Sequence, residues 1–214
     1  MKTRNLLGGV IVAAAMALGL IACSNAVKDP KYERNPNPRQ KYVVTAKVDG
    51  APGPFRVATA SVQYKIGPSQ TCMPPAEPIS GTFPTPDREV VSLPVRKVAE
   101  SEFQFDVYLD GMVAKDYFGR GVCTWEIEGV TLSLKPTGAK GERRFATTID
   151  MPDATGLKPV IMYARREKYG APVSDVYDEV ERSMEVPHAT ALYGSDPSKF
   201  FAITFSAKES GHDR

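Results

Sequence analysis

Residues 41–66, KYVVTAKVDGAPGPFRVATASVQYKI, contain two segments in which apolar and polar side chains alternate. In each segment the apolar side chains share one face: Tyr42, Val44, Ala46 and Val48 in the first, and Ala58, Ala60, Val62, Tyr64 and Ile66 in the second. A period of two residues is typical of a half-buried β-strand. Because a turn rich in glycine and proline separates the segments, the stretch predicts two strands paired as a hairpin.

The same alternation recurs in the rest of the chain. Strand patterns occupy residues 89–98, 102–109, 122–136 with a break near Gly129, 144–150, 159–165 and 199–207. The only helical candidate is a weak one at 174–184, and the six prolines within 67–88 predict an irregular loop there. Eight or nine short strands without an internal repeat predict one all-β domain, an antiparallel β-sandwich over residues 41–209.

Residues 1–22 have the layout of a secretory signal. Lys2 and Arg4 precede an uncharged apolar run that ends in Leu20-Ile21-Ala22-Cys23, the pattern of a lipobox. We expect cleavage before Cys23, a lipid on this cysteine, and a flexible tether over residues 23–40. Ser24 in the next position favours the outer membrane, with the domain facing the periplasm. Residues 210–214 are expected to be a frayed tail.

Two alternatives to lipidation remain. An uncleaved membrane anchor needs about 20 apolar residues, and this stretch is slightly short and contains glycines. An ordinary signal cleaved after Ala22 would leave Cys23 as an unpaired thiol in an oxidising compartment.

The other two cysteines, Cys72 and Cys123, are predicted to form a disulfide in the periplasm. In the chain-entropy model, closing a loop of about 50 residues stabilises a fold by roughly 4 kcal/mol. Two reduced buried thiols are the alternative, and the lack of a nearby histidine argues against a metal site. Trp125 follows Cys123 by two residues, so we expect it on the same strand face, beside the disulfide.

The charge of the chain argues against nucleic acid as a partner. The sequence has 27 basic and 25 acidic residues, and removal of residues 1–22 takes away two basic residues and no acidic one, which leaves 25 of each. A neutral domain has no electrostatic attraction for phosphate backbones. With 42% hydrophobic residues the chain is expected to be globular.

The sequence contains no motif of an enzyme active site. Its two histidines, His188 and His212, lie in a predicted loop and in the tail, and no G-x-S-x-G, H-E-x-x-H, phosphate-binding or calcium-binding loop occurs. We therefore predict a protein that is not an enzyme, without cofactor, metal or small-molecule substrate. A hydrolase based on two carboxylates stays open, because any fold with 25 acidic residues offers candidates.

Clusters of charge have two interpretations each. Asp175, Asp178, Glu179 and Glu181 form either a docking surface for a basic partner or, as is more common, an ordinary solvated face. The pairs Arg143–Arg144 and Arg165–Arg166 are interpreted as charges at strand ends.

Residues 116–121, DYFGRG, are the best candidate for a binding loop. Tyrosine, phenylalanine and arginine between glycines are the residue types enriched at interaction surfaces, which makes Tyr117, Phe118 and Arg120 the candidate contacts. In the alternative interpretation, Phe118 closes the end of the sandwich and the glycines only make turns.

Several segments resemble a set of proteobacterial lipoproteins found at type VI secretion loci, beside phospholipase effectors. They are APGPF at 51–55, the VQY strand before Cys72, PISG at 78–81, DYFGRGVCTW at 116–125 and KFFAITFSAKE at 199–209. The resemblance implies a periplasmic immunity protein that binds and blocks a secreted antibacterial effector, a phospholipase. It carries over structural roles for Cys72, Cys123 and Trp125, and no contact residues. The alternative function is a structural envelope lipoprotein that docks on another outer-membrane component.

Overall fold

The computed structural model describes residues 26–77, 80–150 and 158–210. The predicted signal peptide, the lipidation site Cys23, and residues 211–214 with His212 lie outside these ranges. Within them, no helix has the length and apolar character needed to span a membrane.

The described residues form ten strands and two short α-helices. In chain order the elements are β1 (Lys41–Asp49), β2 (Val57–Gly67), α1 (Ser69–Cys72), β3 (Arg88–Leu93), β4 (Val95–Ala99), β5 (Glu102–Tyr108), β6 (Thr124–Lys135), β7 (Arg144–Asp150), β8 (Val160–Arg165), β9 (Val180–Arg182), α2 (Val186–Tyr193) and β10 (Phe200–Glu209). Single 3-10 turns at Arg166–Lys168 and Pro197–Lys199 follow β8 and α2.

The strands form two five-stranded sheets, in the orders β4-β5-β1-β10-β8 and β3-β2-β6-β7-β9. The predicted all-β sandwich is therefore confirmed, with ten strands in place of eight or nine. One extra strand arises because the segment predicted at 89–98 divides at Pro94, which has no N–H for a continuous ladder. The other is the three-residue β9, which pairs parallel to β7.

The predicted hairpin of β1 and β2 is wrong. β1 pairs with β10 and β5, whereas β2 pairs with β3 and β6 in the opposite sheet. The linker 50–56 is longer than a tight hairpin turn and contains Pro52 and Pro54, so the chain crosses between sheets there. The two alternating segments thus lie in opposite sheets, and both contribute side chains to the core.

The core consists of the inward faces of both sheets. Its largest fully buried side chains are Phe103, Phe105, Phe145, Phe201, Phe205, Leu132, Leu134 and Ile203. They alternate with outward side chains in β5, β7 and β10, as the sequence pattern predicts.

A chain crossing closes one lateral side of the sandwich near Ser183. After β9, the Ser183 hydroxyl accepts a 2.9 Å hydrogen bond from Thr147, and Met184 forms a bridge to Tyr163 in the other sheet. The predicted helix at 174–184 is wrong because β7 and β8 bind this backbone. The helix α2 begins later, with Pro187 in its first turn, where proline is tolerated.

Residues 26–40 are packed against the sandwich, so the prediction of a flexible tether is wrong for this segment. The Val27 N–H donates to the hydroxyl of buried Thr85 at 3.0 Å, and the Asn35 N–H donates to the Gly111 carbonyl at 2.9 Å. Polar and proline-rich composition predicts no regular structure, but here the loops of the sandwich provide partners for its backbone.

Strand β6 is continuous where a break near Gly129 was predicted. The register with β2 shifts between Gln63 and Tyr64, which pair with Gly129 and Ile127 and leave Glu128 as the extra residue of a β-bulge. Glu128 accepts hydrogen bonds from Arg88 at 2.6 and 2.9 Å. The bulge thus redirects one carboxylate without ending the strand.

Candidate binding surface

The predicted disulfide between Cys72 and Cys123 is present and lies at one end of the sandwich, here called the disulfide end. The two Cα atoms are 5.3 Å apart, and both cysteines are buried with Ile66 and Met73 in a small apolar cluster. Helix α1 gives the segment 67–88 one regular turn that the prolines did not predict. The disulfide joins this segment to the start of β6.

Five aromatic side chains pack against the cluster around the disulfide: Tyr32, Phe83, Tyr117, Phe118 and Trp125. The ring of Tyr32 makes edge-to-face contacts with Tyr117 at 5.3 Å, Trp125 at 4.7 Å and Phe118 at 6.3 Å between centroids. Aromatic pairs favour this geometry. The predicted position of Trp125 beside the disulfide is confirmed, and its indole N–H donates to the Val113 carbonyl at 3.1 Å.

The loop 116–121 is held in one conformation by its own side chains. The Asp116 carboxylate accepts the N–H groups of Phe118 and Arg120 at 3.2 and 3.1 Å. Gly119 and Gly121 have φ of 68° and 118°, in the region that favours glycine. The Tyr117 hydroxyl donates to the Val113 carbonyl at 2.6 Å.

Of the three contacts predicted for this loop, only Arg120 has an exposed side chain. Tyr117 and Phe118 are half-buried and pack in the aromatic cluster. These two rings therefore support the disulfide end, as the alternative interpretation had it for Phe118.

A second loop, residues 168–179, lies at the opposite or distal end and is organised by Arg143. This side chain is 2% exposed. It donates to the carbonyls of Lys168, Ala171, Pro172 and Asp178 at 2.9–3.1 Å, and to the Asp178 carboxylate. All five guanidinium donors are thus used. Arg143 directly precedes β7 and thus lies at a strand end as predicted, but it is buried, which the sequence did not predict.

Asp178 is the second fixed point of this loop, called here the Arg143 loop. Its carboxylate accepts a hydrogen bond from the Lys168 ammonium at 2.9 Å and another from the Ser174 N–H at 3.3 Å. The bond from Lys168, then that from Ser174, and the charge of Arg143 lower the pKa of Asp178 below its ordinary value. Asp175 accepts the N–H groups of Tyr177 and Asp178 at 2.8 and 3.1 Å, closing a turn.

The tip of the Arg143 loop presents apolar side chains to solvent. Val176 is 71% exposed and Tyr177 is 92% exposed. A backbone held by this many bonds around a buried arginine needs no apolar tip for its own stability. The tip is therefore a candidate binding surface. The sequence offered the acidic residues of this segment as a docking surface but did not indicate Val176 and Tyr177, because their exposure depends on contacts with Arg143, distant in the chain.

The predicted acidic cluster divides between the interior and solvent. Glu181 is buried and accepts two hydrogen bonds from Arg165 at 2.7 and 2.6 Å, and Asp178 binds Arg143 and Lys168. Only Asp175 and Glu179 of the four are exposed. Half of the cluster is therefore structural.

Two kinds of chemical site bear on the function: a pair of carboxylates in a cleft and a cluster of metal ligands. Four surface cavities of about 230 to 460 Å³ are each lined by a single carboxylate: Glu209, Glu167, Glu100 and Glu142. Across 26–77, 80–150 and 158–210, no group of three histidine, cysteine or acidic side chains could hold a metal ion. His188 is exposed on α2, where a loop was predicted.

No family model, curated protein or solved structure matches this chain.

Proposed function

We propose that this protein is a lipid-anchored periplasmic immunity protein, which binds a secreted antibacterial phospholipase and blocks it. The observation that carries the proposal is the Arg143 loop, whose hydrogen-bonded backbone holds Val176 and Tyr177 in solvent. Large exposed aromatic side chains are typical contacts of protein interfaces.

The hydrogen bonds and the disulfide that order both ends of the domain support a binding role. Association costs less free energy when the contact surface is already ordered before binding. Arg143 and Asp178 order the loop at the distal end, and the disulfide with its aromatic cover orders the other end. A domain with both ends fixed is suited to recognising one partner in one geometry.

The sequence supports the location and the kind of partner. The lipobox pattern at 20–23 supports a membrane location for the mature protein, where it would meet a toxin that enters the periplasm. Two of the segments that resemble immunity lipoproteins, 116–125 and 199–209, form the aromatic cover of the disulfide and strand β10.

Coexpression tests the proposal directly. Bacteria that carry a periplasmically targeted effector from the adjacent gene should survive when the full-length protein is coexpressed. The purified domain should inhibit phospholipid hydrolysis by the effector at equimolar concentration. An effector that kills protected cells and keeps full hydrolytic activity in the mixture would refute the function.

A structural envelope role is the second candidate, and the edge of one sheet favours it. In the described part of the chain, β3 pairs with β2 alone, and Val90 on it is 55% exposed. An unpaired edge can accept a strand from another envelope protein. Under this function, deletion weakens the envelope in pure culture, where no secreted toxin is present.

A further inference from the structure

The disulfide and the Arg143 loop lie at opposite ends of the sandwich. β2 pairs Val57 with Lys135 at one end and Gly67 with Thr124 at the other. Arg143 precedes β7 at the Val57 end, and the disulfide follows β2 at the Gly67 end. An 11-residue strand spans about 36 Å at roughly 3.3 Å per residue.

The N-terminal segment joins the disulfide end. Val27 is bound to Thr85, and Tyr32 contacts Tyr117 and Trp125. Cys23 lies four residues before Val27, and four extended residues reach at most about 14 Å. A lipid on Cys23 would therefore hold the disulfide end close to the membrane and leave the Arg143 loop facing away from it.

The charge at the tip indicates which kind of partner surface is complementary to it. Residues 173–179, VSDVYDE, have three acidic side chains and no basic one. Arg143 and Lys168 neutralise Asp178, whereas Asp175 and Glu179 are exposed on either side of Val176 and Tyr177. An apolar pair flanked by negative charge is complementary to an apolar cleft with basic residues at its rim.

We infer that Val176 and Tyr177 are the partner-binding residues, and that their partner is a protein with an apolar cleft bordered by basic side chains. The inference rests on the proposed function, under which this cleft is the one that admits the acyl chains of phospholipid substrates. The tip enters the cleft from the side of the domain that faces away from the membrane. Asp175 and Glu179 contact the basic rim.

Substitution of the tip tests this inference. Affinity for a catalytically inactive form of the effector is measured by calorimetry with the purified domain. Tyr177→Ala and Val176→Ser should each weaken binding, with Tyr177→Ala raising the Kd about 30-fold or more, the range of an interface hot spot. Asp175→Asn with Glu179→Gln should slow association and reduce its dependence on salt.

Two variants at exposed positions outside the Arg143 loop serve as controls. Val90→Ser removes an exposed valine from β3, and Arg120→Ala removes the exposed arginine at the disulfide end. Both should leave the Kd within about threefold of the unchanged protein, a difference below 0.7 kcal/mol at about 1.4 kcal/mol per tenfold. Thermal unfolding of each variant verifies that the fold is kept.

The outcomes separate the inference from the function. If the unchanged protein does not bind the effector, the proposed function fails. If it binds and the Tyr177 and Val176 variants bind equally well, the function stands and the inference is overturned. Loss of binding in Arg120→Ala alone would move the surface to the disulfide end. Binding of the lipid-free domain to phosphatidylglycerol vesicles through Tyr177 would also overturn the inference, in favour of a membrane contact.

Discussion

Arg143 is hydrogen-bonded to both the backbone carbonyl and the carboxylate of Asp178, which lies 35 residues later in the chain. The arginine immediately precedes β7 and is buried, whereas Asp178 immediately follows the exposed tip of its loop. This contact converts a loop without regular structure into a fixed support for Tyr177. It joins the stability of the domain to the presentation of the candidate binding surface.

Replacing Arg143 should both destabilise the domain and loosen the loop. In Arg143→Met the carbonyls of residues 168, 171, 172 and 178 lose their donors and Asp178 loses a charge partner. We therefore expect about 3–5 kcal/mol of lost stability. Urea denaturation measures it, and limited proteolysis should cut the loop faster. Arg144→Ala, at the exposed next position, should change stability by less than about 0.5 kcal/mol. Equal stabilities of the two variants would contradict the role of Arg143.

Removal of the disulfide should lower the stability of the domain. The double variant Cys72→Ser, Cys123→Ser opens a loop with a sequence separation of 51 residues. We expect a loss of about 4 kcal/mol, because the unfolded chain regains the entropy of that loop. Urea denaturation of the unchanged protein in the presence of a reductant should give the same loss of stability. A double variant as stable as the unchanged oxidised protein would show that the bond contributes nothing.

Tyr32 provides a test of the docked N-terminal segment. Its ring contacts three aromatic rings, and its hydroxyl donates to the Pro86 carbonyl. Tyr32→Ala should cost about 2 kcal/mol, since edge-to-face pairs contribute about 0.5–1.5 kcal/mol each and this side chain is partly exposed. Amide hydrogen exchange should also accelerate at Val27 and Asn35. The adjacent Lys31→Ala serves as control, and a tether free of the domain would give the same null effect for both variants.

Glu128 should make the stability of the domain depend on pH in the acidic range. The hydrogen bond from Arg88, and then that from Gln63, lower the pKa of Glu128 from 4.5 to about 2. A carboxyl whose pKa is depressed in the folded protein stabilises the fold at any pH above its pKa in the unfolded chain. This contribution is lost as the pH falls from about 4.5 towards 2. Because the side chain is 35% exposed, solvent screening limits the effect to about 1 kcal/mol or less.

Urea denaturation at several pH values measures this contribution. Glu128→Gln should flatten the acid limb of the stability curve, and Glu126→Gln, at an exposed position in the same strand, should leave it unchanged. A curve for Glu128→Gln that falls as steeply as that of the unchanged protein would contradict the assignment.

The alternation of side chains was enough to predict most strands and the fold class. β1, β2, β5, β7 and β10 lie where the period of two predicted them, because each strand buries one face and this requirement is local. Cysteine counting likewise predicted the pair Cys72–Cys123, and the spacing to Trp125 predicted its place beside them.

Strand pairing was decided by the tertiary structure. Every strand with one apolar face satisfies the same local pattern, so periodicity cannot say whether β1 joins β2 or β10. The pairing depends on how both sheets close around the shared phenylalanine core, and on the crossings at Pro94 and Ser183. The sequence likewise did not predict that residues 26–40 pack against the domain. The partners of this segment are loop backbone and the Thr85 hydroxyl, which lies 58 residues from Val27.

The candidate surface depended on tertiary structure most of all. From the sequence, DYFGRG is a candidate binding loop and Arg143 a charge at a strand end, yet Tyr117 and Phe118 pack near the disulfide and Arg143 is buried. The sequence by itself was enough to predict the β-rich domain and its disulfide, whereas the lipid anchor at Cys23 stays a prediction. Only the folded chain decided which aromatic side chains face solvent, because exposure depends on hydrogen bonds and packing between residues far apart in the sequence.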